Sequence, residues 1–491
     1  MSFSTPAFLF LFLPPVLLLS LFLKRKAQNV FLLLASLVFY AWGEQGFVLL
    51  LMGSALLNHF FGLGIGAAAA PRKRRLLLAA GLGFNIALLA VFKYAAFILA
   101  NLGALPVAAA AGTTLPWHQP LGISFFTFMA MAYLVEVYQR AIPAERNPVH
   151  TALAISFFPV VLAGPINRYS SLGRQLAGRQ PDAELLAQGV RRFIIGLGKK
   201  VLLADTLARA VDAIFAIPAS GLTASLAWMG AAGYTLQIFL DFSGYSDMAI
   251  GLGRMFGFTF MENFNYPYIS RSITEFWTRW HISLSTWLRD FLFLPLAYAI
   301  SRRLKADRWL GIRADAWCYY PAMLLTMLLC GLWHGAAWTF IAWGLYHGLF
   351  IVLERQALKK RLHALWPALQ GAYSLWVVAF GWVLFRALDF SQAAAFWRAM
   401  IGLGSGDGRE FHAALYLNGL LIFAAAAGLI AAVPVVPALR AWAERRLAGP
   451  RRGSLRLGWR LLEATVLLVV LVASVMFLAA STFNPFIYAR F

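Results

Sequence analysis

Acidic side chains are scarce in this sequence: 20 of its 491 residues are Asp or Glu, and charged residues of both signs reach only 13%. A soluble domain carries about 25% charged and about 45–50% apolar residues. With 61% hydrophobic residues before glycine is counted, a soluble globular fold is excluded. Cysteine is nearly absent too. Cys318 and Cys330 build no disulfide framework and have no metal-ligand spacing, which leaves them as packing residues and predicts no metal site. The glycine–x–serine–x–glycine turn of serine hydrolases and the HExxH zinc pattern are missing. No internal repeat is visible, which lowers the standing of an inverted-repeat transporter.

What the sequence does have is aromatic and basic residues. Aromatics make up 15% of it, with 17 Trp and 41 Phe, as interfacial belts and lipid-facing surfaces require. The formal net charge is +22, a value that would suit a nucleic-acid partner if it formed one patch. The cations instead fall in short clusters between apolar runs, the positive-inside pattern of a polytopic protein, so no nucleic-acid partner is expected. Runs at 7–23, 30–42, 47–70, 76–100 and 121–138 alternate in direction. They return the clusters Lys24–Arg25–Lys26, Arg72–Lys73–Arg74–Arg75 and Arg140 with Arg146 to one side. No charged segment precedes residue 7, which predicts an N-out first helix and no cleaved signal.

Beyond residue 150 the pattern is less regular. Residues 152–163 are too few to span, since about 20 apolar residues are needed, and the following GPINR predicts a break, hence a buried re-entrant segment. Residues 170–192 read as a polar cytoplasmic loop with a surface helix. Tyr234, Gln237, Asp241 and Tyr245 would share one helical face, and DFSGYSDMAIGLGRMFG (241–257) reads as a glycine-rich break lining a cavity. Residues 263–296 read as an amphipathic, tryptophan-rich helix along the interface or lining the protein, with Trp277, Trp280 and Trp287 at helical spacing. In all, length and charge predict about ten to twelve crossings plus re-entrant and interfacial pieces.

The most unusual stretch is GLWHGAAWTFIAWGLYHG (331–348), which places His334 and His347 inside a run apolar enough to span. An ionisable group there faces a bundle interior or a wet cavity and marks a functional site. Gly331, Gly335, Ala336 and Ala337 allow close approach around His334, with Trp333 and Trp338 as candidate walls. His347, near the far end of the run, reads better as a packing residue.

Several pieces together resemble the membrane-bound O-acyltransferase family in its bacterial alginate O-acetyltransferase branch: AGPINR (163–168), 241–253, 263–296, 331–348, GWVLFRALDF (381–390) and NPFIYARF (484–491). The WHISLSTWLRDFLFLPL and GLWHGAAW pieces are the specific ones. The resemblance implies an all-α polytopic membrane protein, a ring of helices around a thin centre. It makes 1–491 a single acyltransferase domain, with peripheral spans to 120, a catalytic core over 121–400 and C-terminal spans over 401–491. It also implies that His334 is the catalytic histidine and His281 the second characteristic polar residue. In one departure, the relatives' glycine-glycine-asparagine-arginine turn after Leu294–Pro295–Leu296 is replaced by Ala297–Tyr298–Ala299–Ile300.

Acyl transfer from a thioester to a hydroxyl needs a base and an oxyanion donor. Imidazole, with an unperturbed pKa of about 6.5, supplies the base. His334 is therefore expected as general base and His281 as orienting or oxyanion-stabilising group, with Asp241, Tyr245, Ser285, Trp287 and Trp333 as candidate substrate contacts. No bound cofactor is expected. The expected donor substrate is acetyl-CoA or another acyl thioester, such as an acyl carrier protein. The further partners expected are a polysaccharide acceptor, a periplasmic acetyltransferase, as the resemblance implies, and the lipid bilayer of the bacterial inner membrane. The outer loops at 43–46 and 101–120 hold too few polar groups for a glycan groove. Peptidoglycan O-acetylation and teichoic-acid D-alanylation are the neighbouring alternatives, and a proton-coupled transporter using His334 and Asp241 is the alternative of another class.

Overall fold

The computed structural model describes residues 1–103, 118–179, 182–304, 308–309, 312–447, 453–480 and 486. Most of the outer loop expected at 101–120, part of the basic segment at 440–460 and all of the 484–491 motif except Phe486 lie outside the described residues. The protein is all-α, as expected, apart from a two-residue hairpin of β1 (Arg308–Trp309) and β2 (Ile312–Arg313), in which Arg308 lies opposite Arg313. Among the described residues five helices are long and apolar enough to cross a bilayer, or six if the 61° bent pair Gly419–Ala431 and Val435–Arg446 is one span. Other apolar runs are divided into shorter helices, such as Ala7–Phe22 and Ile123–Tyr138. This is why counting runs reaches ten to twelve and counting long helices does not.

The chain forms two compact units, residues 1–193 with 248–262 and residues 194–247 with 263–491. In the first, α1 (Phe47–Ala67), α2 (Pro71–Leu89) and α3 (Ile123–Tyr138) pack on one another. Small residues bring them close: a methyl group on Gly62 would overlap the Tyr133 ring. Polar side chains on these helices are paired, as hydrocarbon surroundings require. Asn85 Nδ2 donates to Asn58 Oδ1 at 2.8 Å, and His59 Nδ1 lies 3.0 Å from Thr151 Oγ1. The 152–163 run is two short buried helices, Pro148–Ser156 and Phe158–Val161. Pro159 cannot donate a backbone hydrogen bond, so the helix is interrupted just before it. The expected polar loop at 170–192 is largely helical, as Tyr169–Gly178 and Ala183–Gly198. The first of these is held by Ser170, whose N–H and hydroxyl donate to Glu136 at 3.0 and 2.6 Å.

The second unit carries most of the long helix α4 (Ala224–Met255), and here the sequence reading needs correction. Residues 241–255 are uninterrupted helix, not a break. The glycines serve close packing instead: a methyl group on Gly244 would lie 2.8 Å from the Gly196 carbonyl oxygen. Each helix-interior glycine costs about 1 kcal/mol in propensity. The backbone approach allows Lys200 to reach across, its Nζ 2.8 Å from Asp241 and 2.6 Å from Asp205. Lys199 Nζ meets Asp247 at 2.7 Å.

The 263–296 segment is likewise not one amphipathic helix. It runs through α5 (Ile273–Arg279), a left-handed residue at His281, α6 (Ile282–Leu288) and a widened turn at Arg289–Phe293. The 297–300 departure lies inside the helix Leu294–Ser301. After β2 come α7 (Ala314–His334), α8 (Trp338–Leu353), α9 (Pro367–Arg386) and α10 (Phe390–Met400). The 331–348 run is therefore no single span: it turns at Gly335–Ala337, and α8 folds back on α7. The turn works because Gly331 and Gly344 face backbone. A side-chain methyl on either would run into the carbonyl oxygen of Phe340 or Met327.

Candidate active site

His334 is the last residue of α7, and the hairpin buries it. Its ring meets Trp333 at 4.9 Å, Trp343 at 5.1 Å and Phe385 at 5.3 Å between centroids. Trp343 arrives from α8 and Phe385 from α9. Trp343 is thus the wall for which Trp338 is the sequence candidate; Trp338 is 55% exposed. Phe340 covers the turn by packing on Phe385 at 4.8 Å.

His281 is held by a different device. It is fully buried and caps the start of α6 with φ 44° and ψ 53°, a left-handed conformation uncommon outside glycine. Asn263 supports that conformation. Its carbonyl accepts the Ile282 N–H at 3.0 Å, its Oδ1 accepts the Ser283 N–H at 3.3 Å and hydroxyl at 2.9 Å, and its Nδ2 donates to Ser246 Oγ at 3.1 Å. The Asn265 N–H donates to the Arg279 carbonyl at 2.9 Å, tying the same loop to the end of α5. Phe242 of α4 packs edge-on against the imidazole at 4.6 Å.

These elements bring the two histidines together. The His281 and His334 ring centroids are 6.3 Å apart, and Trp333 lies 5.9 Å from His281. Glu354 ties together the elements that carry them. This buried carboxylate, just past the end of α8, accepts the Ile273 N–H at 2.6 Å, the Thr274 N–H at 2.9 Å and the Thr274 hydroxyl at 2.6 Å. A carboxylate at a helix N-terminus satisfies unpaired N–H groups and complements the helix dipole. Glu354 so links the His334 hairpin to the α5 segment that ends at His281.

The other sequence candidates are placed as follows. Trp333 is beside both histidines. The Asp241 carboxylate is engaged with Lys200. The Tyr245 ring stacks on Phe486 at 4.6 Å, and Phe486 also meets Phe242 at 5.8 Å, one ring removed from His281. The Ser285 hydroxyl donates to the Trp280 carbonyl at 3.2 Å, not to an imidazole, and Trp287 packs on Phe291 at 5.3 Å. Trp277, Trp280 and Trp287 are all buried, so these rings face the protein interior. His347, on α8, is enclosed by rings, with Trp343 at 5.2 Å, Trp277 at 5.5 Å and Phe276 at 6.2 Å. Neither of its ring nitrogens has a hydrogen-bond partner among the described residues.

Two buried imidazoles in an aromatic enclosure, presented by a helical membrane scaffold, suit proton transfer at a reacting oxygen. Comparison with known proteins agrees with that class. The profile of the membrane-bound O-acyltransferase family matches residues 151–388. Over the full length of both chains the protein is 39% identical to the probable alginate O-acetylase of Pseudomonas putida. It is 41% identical to that of Pseudomonas aeruginosa over 86% of this chain and 79% of the other. The peptidoglycan O-acetyltransferase of Helicobacter pylori is 35% identical over 82% of this chain and 80% of its own. The chain belongs to the membrane-bound O-acyltransferase family. It is a multi-pass membrane enzyme that transfers acyl groups to hydroxyls.

Proposed function

We propose that this enzyme takes acetyl groups from a cytoplasmic thioester, acetyl-CoA or an acyl carrier protein, and passes them across the inner membrane for O-acetylation of an exported, alginate-like polysaccharide. The observation that carries the chemistry is the buried pair His281 and His334, 6.3 Å apart. That centroid separation puts both imidazoles within reach of one bound group, to which each ring could hydrogen-bond at about 2.8 Å. In this reading His334 removes the proton from the attacking hydroxyl as its oxygen adds to the thioester carbonyl. His281 orients the site or donates to the oxyanion. Collapse breaks the C–S bond, forms the C–O ester, and returns the proton from His334 to the departing thiolate. Trp333 forms part of the wall around the reacting atoms.

Full-length similarity to proteins named alginate O-acetylases supports the acceptor class. The Helicobacter pylori relative keeps peptidoglycan as the second reading. A separate periplasmic acetyltransferase completes delivery to the polymer in this proposal. The test uses vesicles holding acetyl-CoA inside and polymer outside. Thioester consumption should require this chain, and acetylated polymer should appear only when the periplasmic enzyme is added. Intact thioester under all conditions would overturn the donor assignment. Polymer acetylated by this chain alone would overturn the division of labour.

A further inference from the structure

On another face of the same unit, α8, α9 and α10 enclose a groove of about 330 Å³. Its walls are Tyr346, Phe350, Trp376, Phe380 and Trp397. Two of the polar atoms in those walls are used internally: the Tyr346 hydroxyl donates to the Val377 carbonyl at 3.0 Å, and Trp397 Nε1 donates to the Phe380 carbonyl at 3.1 Å. The groove therefore presents hydrocarbon and ring faces to whatever fills it, and in a membrane enzyme the abundant occupant of such a surface is an acyl chain. At the rim stands Arg398, exposed and near the end of α10, three residues before the exposed turn that starts at Ile401. Among the described residues its guanidinium has no carboxylate, hydrogen-bond or ring partner. Arg386, twelve residues earlier, contrasts with it in being paired with Asp212 at 2.7 Å.

An apolar slot with an uncompensated guanidinium at one end is complementary to a molecule with a hydrocarbon tail and an anionic head. Guanidinium matches phosphate oxygens bidentately and is only weakly hydrated, so it suits a phosphodiester at a membrane surface. We propose that this groove is a binding site for an anionic phospholipid, one acyl chain lying along Phe380 and Trp397 and the phosphate held by Arg398. The site does not depend on the roles assigned to the histidines.

The test is a thermal-stability titration of the delipidated, detergent-purified full chain with phosphatidylglycerol, phosphatidylcholine or inorganic phosphate. Phosphatidylglycerol should raise Tm more than phosphatidylcholine, and inorganic phosphate should leave it unchanged. Arg398→Gln should weaken the phosphatidylglycerol response about fivefold, the contribution of one cation near an anionic surface. Arg398→Lys, which keeps the charge and loses the bidentate geometry, should fall between Arg398→Gln and the wild type. Ala394→Trp, which fills the groove from α10, should reduce the response to both lipids. Equal responses of the wild type to the two lipids, or an undiminished phosphatidylglycerol preference in Arg398→Gln, would overturn the site. A Tm rise with phosphate alone would reassign it to a free anion and overturn the lipid.

Discussion

Asp241 offers a sharp separation between a substrate contact and a structural ion pair. Its carboxylate and Lys200 are both buried, 2.8 Å apart. Replacing it by Asn strands an ammonium with only Asp205, still 2.6 Å away and partly exposed. Removing one partner of a buried pair costs about 3–5 kcal/mol, and the surviving Asp205 contact sets the loss near the lower end, about 3 kcal/mol. Asp241→Asn should therefore lower the Tm and the yield of monodisperse protein. Replacing both charges by apolar residues is often neutral or stabilising, so Lys200→Met combined with Asp241→Leu should recover most of the loss. The deciding assay is thiol release per folded molecule in detergent. If Asp241 is structural, the double variant turns over near the wild-type rate. A double variant that is well folded yet inactive would refute the reasoning and return Asp241 to the reaction.

Asn263→Ala removes three side-chain hydrogen bonds around His281. At about 0.5–1.5 kcal/mol each it should destabilise by about 1.5–4.5 kcal/mol. Turnover per folded molecule should fall, but no further than in His281→Ala, with donor KM little changed. Glu354→Gln keeps the shape of the clamp on α5 but loses charge-assisted acceptance; it should lower kcat while Glu354→Ala lowers both kcat and Tm, as paired kinetic and melting measurements will read. His347→Phe should leave thiol release within about twofold of wild type and Tm unchanged or raised, because it replaces unpaired buried nitrogens with an apolar ring. A large loss of rate in that folded variant would assign His347 to the chemistry.

Much of this architecture is legible in the sequence because hydrocarbon is an intolerant solvent. Apolar runs reveal the helices, and a histidine among glycines, as at 331–348, stands out against them. The local geometry is harder to see. Gly244, Gly251 and Gly253 look like breakers, yet they serve close packing within a helix uninterrupted to Met255, Gly244 against the Gly196 carbonyl; only Gly257, at φ 80°, follows its end. At His281 the chain turns left-handed without a glycine to announce it. Asn263 and Glu354 carry no motif of their own. Their roles depend on partners 17 to 81 residues away, and nothing in local composition signals those distances. Helical spacing from His334 favours Trp338, four residues on, over Trp343, nine on, and only the fold-back of α8 on α7 selects Trp343.

The central claim is that His334 is the base for acyl transfer. Its most direct test is thioester-dependent acyl transfer by His334→Gln in purified, folded enzyme, with Tm recorded on the same preparation. An amide fills the space and can hydrogen-bond but cannot accept the proton, so the rate should fall by about 10²–10⁴-fold while Tm stays within a few degrees of wild type. A folded His334→Gln enzyme that keeps more than half the wild-type rate would contradict the account.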